Sequence, residues 1–220
     1  MKSDYPVSTS GREAFGSLRN LMRDRTSREQ CEVCSRDIPH EHAHLFEPKA
    51  RQVICVCAEC QVSVGEGEGS VYRRVPRRVC YLEGFCMDDA QWDELMIPVG
   101  MAFFFHSSAV QRVLAFYPSP AGVTESLLDL EAWQTVVQDN PVLASMQIDV
   151  EALLVNRTKE NREYFIVPID KCYELAGHIR CHWRGLSGGQ KVWEAIEGFY
   201  TDLKAQSTIG QGTRKQEPHA

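Results

Sequence analysis

The stretch CEVCSRDIPHEHAHLFEPKARQVICVCAEC, residues 31–60, carries the most information about this chain. It contains five of the nine cysteines and three of the seven histidines. The pairs Cys31-x2-Cys34 and Cys57-x2-Cys60 are separated by 22 residues, close to the spacing with which two short loops close a tetrahedral metal site. We therefore predict a metal site whose ligands are Cys31, Cys34, Cys57 and Cys60.

Zinc is the metal that we expect at this site. Four thiolates close the coordination shell and leave no position for water, so a site of this kind is structural and not catalytic. The same four thiolates also bind iron, as a rubredoxin-like centre or an iron–sulfur cluster, and spacing alone does not separate the two metals. Cys55 and His44 lie in the same stretch, and either could replace one of the thiolates.

The order of elements around the cysteine pairs predicts a small treble-clef or zinc-ribbon-like finger. After the first pair comes a polar turn, then a β-like segment at residues 52–56, and Ala58 is placed to open a short helix that carries Cys60. The acidic, glycine-rich turn GEGEGS at 65–70 indicates a boundary. We therefore expect the metal-binding module to span residues 31–70.

The larger part of the chain, residues 71–205, has the pattern of an α+β domain with a mostly antiparallel sheet backed by helices. Residues 1–30 read as a polar tail followed by an amphipathic helix at 12–25, and residues 206–220 as a disordered tail. Within the α+β domain the predicted strands are 71–82, 97–105, 110–117, 150–155 and 164–167, and the main predicted helices are 124–137, 171–183 and 190–203.

Charge and hydropathy narrow the class of protein. The net charge of −6 argues against a protein whose main task is to bind nucleic acid, because phosphate neutralisation needs a basic surface. The longest apolar run, MIPVGMAFFF at 96–105, is too short to cross a membrane, and no signal peptide is recognisable. Nine cysteines without an export signal favour a cytoplasmic protein with reduced thiols.

A second group of metal-binding side chains occurs at Cys172, His178, Cys181 and His182. On the predicted helix the two histidines are four residues apart and share a face with Cys181, whereas Cys172 lies off that face. We interpret the group as a polar helix edge. A catalytic site near Cys172–His182 is the alternative, and it requires a concave pocket with converging polar groups.

Several strings together resemble an uncharacterised bacterial protein family, a domain of unknown function. They are HAHLFEP (42–48), IPVGMAFFF (97–105), AFYPSPAGVTES (115–126), DVEALLVNR (149–157) and VPIDKCYELAGHIRCHWRGLSGG (167–189). Members of that family are often encoded beside NiFe-hydrogenase genes. The resemblance therefore implies a cytosolic accessory or assembly factor whose partner is a hydrogenase subunit or another accessory protein. It transfers no catalytic residues.

Overall fold

The structure, a computed structural model, describes residues 29–65, 69–185 and 187–211. These residues form two β-sheets with helices packed around them. The helix predicted at 12–25 lies outside the described residues. The strands are β1 Ala43–Glu47, β2 Gln52–Val56, β3 Arg73–Arg74, β4 Cys80–Glu83, β5 Met101–Ser107, β6 Arg112–Ser119, β7 Gly122–Ser126, β8 Glu151–Asn156, β9 Glu163–Pro168 and β10 Thr208–Gln211. The helices are α1 Ala58–Gly65, α2 Asp89–Glu94, α3 Leu130–Asp139, a 3-10 helix Pro141–Ser145, α4 Ile169–His182 and α5 Gln190–Ala205.

The larger sheet has seven strands in the order β10-β4-β9-β8-β5-β6-β7. Every neighbouring pair is antiparallel except β10 and β4, which run parallel. The prediction of an α+β fold with a mostly antiparallel sheet is therefore confirmed.

Helices cover both faces of this sheet, which explains why β5 is apolar along most of its length. Side chains alternate between the two faces of a strand. Phe103 and Phe105 pack with α4 and α5 on one face, and Phe104 packs with α2 and α3 on the other, its ring 4.8 Å from that of Trp133. A strand buried on both faces needs an unbroken apolar run, and MAFFF provides one.

The smaller sheet has three strands in the order β2-β1-β3 and carries the cysteine-rich stretch. Adjacent residues of β1 face two different cores: Leu45 packs among the cysteines, whereas Phe46 packs into the core of the larger sheet, and both are fully buried. The small sheet is therefore fixed to the α+β domain by side chains of β1 itself.

The strand predicted at 71–82 is divided between the two sheets. Arg73–Arg74 pairs with β1, and Cys80–Glu83 pairs with β9 and β10. Pro76 lies between the two pieces, where the missing backbone N–H of proline disfavours continued pairing. The small sheet thus extends past residue 70, the boundary drawn from the glycine-rich turn.

The helix predicted at 124–137 is wrong in its first part. Residues Gly122–Ser126 form β7, paired with β6, and the helix begins at Leu130. Asp129 sets this start, because its Oδ1 accepts hydrogen bonds from the backbone N–H groups of Glu131 (2.8 Å) and Ala132 (3.1 Å).

Two further expectations need correction at the carboxyl-terminal end. The tail was expected to be disordered from residue 206, but Thr208–Gln211 forms β10 along the edge strand β4. Residues 212–220 lie outside the described part of the chain. Asp170 was expected to cap a helix starting at Lys171, but α4 already begins at Ile169, so Asp170 lies within its first turn.

Asn140 joins the end of α3 to the loop after β4, and its removal should be costly. The residue is 1% exposed. Its side-chain NH2 donates to the carbonyl oxygens of Cys86 (2.7 Å) and Val136 (2.8 Å), and its carbonyl oxygen accepts from the Cys86 N–H (2.7 Å). Asn140→Ala leaves the N–H and the carbonyl oxygen of Cys86 without these partners, whereas the Val136 carbonyl oxygen keeps the backbone N–H of residue 140 (3.1 Å). We therefore expect the free energy of unfolding to fall by about 2 kcal/mol. Urea unfolding measures this loss, and exposed Asn161→Ala, the matched control, should change little.

Candidate metal centre

The structure brings the two cysteine pairs together. The Sγ atoms of Cys31, Cys34, Cys57 and Cys60 all lie within 4.8 Å of one another, a separation at which they could bind a single metal ion. The sulfurs of Cys34 and Cys57 lie 3.8 Å apart. Cys31, Cys57 and Cys60 are buried, and Cys34 is exposed.

Local backbone structure places each pair. The first pair lies in a tight turn before β1, in which the Ser35 N–H donates to the Cys31 carbonyl oxygen (2.7 Å). The second pair lies where β2 ends and α1 begins: Cys57 directly precedes the helix and Cys60 lies in its first turn. Glu32 holds the two parts side by side, because its N–H donates to the Cys55 carbonyl oxygen (2.8 Å) and its carboxylate accepts from the Cys55 N–H (2.6 Å).

The backbone around Cys31 favours a thiolate. Burial alone would raise the pKa of Cys31, but hydrogen bonds from the backbone amides of Cys57, Cys34 and Val33 outweigh it and lower the pKa to about 6. In the second pair, the Cys60 N–H approaches Cys57 Sγ at 3.5 Å. Backbone N–H groups directed at sulfur stabilise negative charge there, as metal-bound thiolates require.

The pKa values of the second cysteine pair are shifted upward instead. Contact with the sulfur of Cys57, followed by burial, raises the pKa of Cys60 to about 12. For Cys57, the hydrogen bond from the Cys60 backbone lowers the pKa, but burial and the side chain of Glu59 outweigh it, so that the net shift is upward. When no cation is bound, the sulfurs of Cys57 and Cys60 therefore favour their protonated forms, and a bound metal ion would displace those protons.

A second group of donors lies beside the four cysteines. One ring nitrogen each of His42 and His44 and the sulfur of Cys55 lie within 4.8 Å of one another. His44 and Cys55 are directly opposite in the β1–β2 pair. Cys55 and His44 were considered above as replacements for a thiolate, but the structure groups them with His42 instead. One feature of the sequence could have indicated this grouping: His42 and His44 are two residues apart in an extended segment, which places both rings on the same side.

The structure does not bring Cys172 together with the histidines of its helix. Cys172 is fully buried in the core under α4, and this burial raises its pKa well above the usual value. His178, Cys181 and His182 lie on the outer side, and His182 Nδ1 contacts the His178 carbonyl oxygen of the same helix at 2.8 Å. The two histidines line a small cavity of about 290 Å³ between α4 and α5.

These features define an α+β protein with a four-cysteine cluster next to a small three-stranded sheet. The chain belongs to a family described as a family of unknown function, DUF5947, which matches residues 30–207. The membership in an uncharacterised family expected from the sequence is therefore confirmed. Searches of curated proteins and of solved structures gave no match. Among the described residues, no helix combines the length and apolar character needed to cross a membrane.

Proposed function

We propose that the chain is a metal-binding accessory protein in which Cys31, Cys34, Cys57 and Cys60 bind one structural zinc ion. The observation that carries the proposal is the convergence of the four sulfurs to within 4.8 Å. The order of a first cysteine pair, a hairpin and a second pair at a helix start is that of a treble-clef-like finger, and it supports zinc. A complete set of four thiolates leaves the ion no open coordination position, so the ion has a structural role.

The small sheet needs the stabilisation that a bound metal ion would give. Its own core consists of a few buried side chains, three of which are cysteines of the cluster. A core of this size stabilises little on its own. Binding of zinc contributes roughly 10–16 kcal/mol to folding in zinc-finger peptides near neutral pH, which is ample for a module of this size.

Metal analysis of the full chain, purified without added metal, tests this proposal. We expect at least one equivalent of zinc and a colourless protein. Cys57→Ser should lose the metal, whereas Cys86→Ser, which changes a cysteine outside the cluster, should retain it. A coloured protein that contains iron and has thiolate-to-iron charge-transfer absorption would contradict the zinc assignment. It would favour the alternative of an electron-transfer protein with a rubredoxin-like or iron–sulfur centre.

We also propose that the chain acts in the cytoplasm by binding a protein partner, a subunit of NiFe hydrogenase or another accessory protein. The family resemblance supports the identity of the partner. The surface near α3 supports protein binding: apolar side chains line a groove of about 580 Å³ there, and Ile148 (54% exposed) and Leu130 (42% exposed) lie on it. Exposed apolar patches of this kind mark interaction sites.

A pull-down with the hydrogenase subunits tests the partner. We expect the wild-type chain to retain a subunit, and Leu130→Glu together with Ile148→Glu to weaken retention at least tenfold, because charges in the groove oppose desolvation. Ile209→Glu makes the same change at an exposed position (72%) of β10 and is the control. Failure to recover any subunit, together with normal hydrogenase maturation in a deletion strain, would contradict the proposal.

A further inference from the structure

We infer that His42, His44 and Cys55 form a second metal site, which binds a divalent transition-metal ion of the zinc type through three protein ligands. None of these residues belongs to the four-cysteine cluster, so this site does not depend on the proposed function. Two observations carry the inference: the three donor atoms lie within 4.8 Å of one another, and a buried ring nitrogen of His42 has no hydrogen-bond partner within residues 29–65, 69–185 and 187–211.

His42 is oriented as a metal ligand. Its side chain is only 6% exposed. Its Nδ1 lies 2.9 Å from the Pro39 carbonyl oxygen, which can only accept, so Nδ1 carries the proton. The other nitrogen, Nε2, is then left with a lone pair, and among the described residues it is buried without a partner. A buried polar atom without a partner costs about 1–3 kcal/mol, a cost that a bound cation would remove.

His44 has the same arrangement with a stronger partner. Its Nδ1 lies 2.7 Å from Oδ2 of Asp170, in the first turn of α4. A carboxylate that accepts from Nδ1 fixes the tautomer, orients the ring and makes Nε2 a better ligand, as in the carboxylate–histidine–zinc arrangement of many metal sites. The two imidazole rings meet edge to face with centroids 4.7 Å apart. Because an oxygen occupies each Nδ1, Nε2 is the nitrogen that each ring leaves for a metal ion.

Cys55 completes the set from the neighbouring strand, and carboxylates surround the group. Glu32 accepts from the Cys55 N–H at 2.6 Å, and Glu29 Oε2 lies 3.2 Å from Nδ1 of His42. Together with Asp170 these groups create a negative potential that favours a cation. Imidazole and thiolate are the donors that zinc and its neighbours in the transition series prefer.

The number of ligands distinguishes this site from the four-cysteine cluster. Zinc is usually four-coordinate, and three protein ligands leave one position for water or for a donor from another molecule. The site also lies where the small sheet meets α4, since His44 is in β1 and Asp170 is in α4. An ion bound here would link the finger to the α+β domain and remain open to an external ligand.

Titration of the reduced full chain with Co²⁺, after its first metal has been bound, tests the inference. We expect a second equivalent to bind with a thiolate-to-cobalt charge-transfer band. Cys55→Ser should remove that band, and His42→Ala should weaken the second equivalent by at least 100-fold. Asp170→Asn keeps all three ligands and should weaken it by about 10–100-fold, which reports the positioning role of the carboxylate.

Two variants serve as controls for adventitious binding. His40→Ala changes an exposed histidine close in sequence, and His182→Ala breaks the exposed pair on α4. Neither should affect the second equivalent. Retention of the first metal shows that each variant is folded. The inference is overturned if the wild-type chain binds only one equivalent, or if the second equivalent survives Cys55→Ser and Asp170→Asn but is lost in His182→Ala.

Discussion

Cys60→Ser is expected to unfold the three-stranded sheet while the seven-stranded sheet stays folded. The sulfur of Cys60 contributes both to the proposed zinc site and to the small core of the finger. Loss of one thiolate removes most of a binding free energy that amounts to roughly 10–16 kcal/mol in zinc-finger peptides. The few apolar side chains of the finger do not replace it. The larger sheet has cores on both faces that contain none of the four cysteines, and Phe46 is the one fully buried side chain that β1 adds to them.

Amide hydrogen exchange measures this outcome element by element. In the Cys60→Ser variant, amides of β1 and β2 should lose their protection, whereas amides of β5, β8 and β9 should keep it. A strong chelator added to the wild-type chain should reproduce the pattern, and Cys86→Ser should not. Unchanged protection of β1 and β2 in both the variant and the chelated protein would show that the finger folds without metal.

Regular periodicity made much of the α+β domain predictable. The hairpin of β8 and β9, the apolar strand β5 and the helix α5 follow directly from apolar runs and helical spacing in the sequence. Errors occurred where a single side chain decides a boundary. Asp129 starts α3 later than the apolar pattern indicates, because its carboxylate accepts the first free N–H groups of the helix.

Long-range pairing explains the features that the sequence did not reveal. The strand β10 has no apolar pattern of its own and forms because the edge of β4 offers unpaired backbone groups. The spacing of the cysteine pairs predicted which four sulfurs meet. The grouping of His42 with Cys55 depends instead on the register of β1 and β2, and the orientation of His44 depends on Asp170, 126 residues later in the chain.

The arginines of the segment between the two sheets illustrate the same limit. The charged run VYRRVPRRV (71–79) is typical of a solvent-exposed edge of a strand or loop. In the structure, Arg78 instead forms a two-pronged contact with Glu151, whose side chain is fully buried: Nε donates to Oε1 and Nη2 to Oε2, both at 2.9 Å. Nothing in the local sequence identifies a partner that is 73 residues away.

Arg78→Ala is therefore expected to destabilise the whole domain by about 3 kcal/mol. Removal of the guanidinium leaves the Glu151 carboxylate buried without its cation. Within the described part of the chain, its remaining hydrogen-bond donor is the Gln147 N–H (2.8 Å). Breaking a buried pair from one side costs about 3–5 kcal/mol, and the lower end applies because Arg78 itself is 43% exposed. Chemical denaturation followed by circular dichroism measures the loss.

Two further arginine variants separate charge from geometry. Arg78→Lys keeps the charge but offers no planar fork, so it should lose an intermediate amount. Arg77→Ala removes an exposed neighbour and should change the free energy of unfolding by less than about 0.5 kcal/mol. Equal losses for Arg77→Ala and Arg78→Ala would contradict the role given to Glu151. Because Glu151 starts the central strand β8, we expect Arg78→Ala to lower protection across the seven-stranded sheet, unlike the loss confined to the three-stranded sheet that is expected for Cys60→Ser.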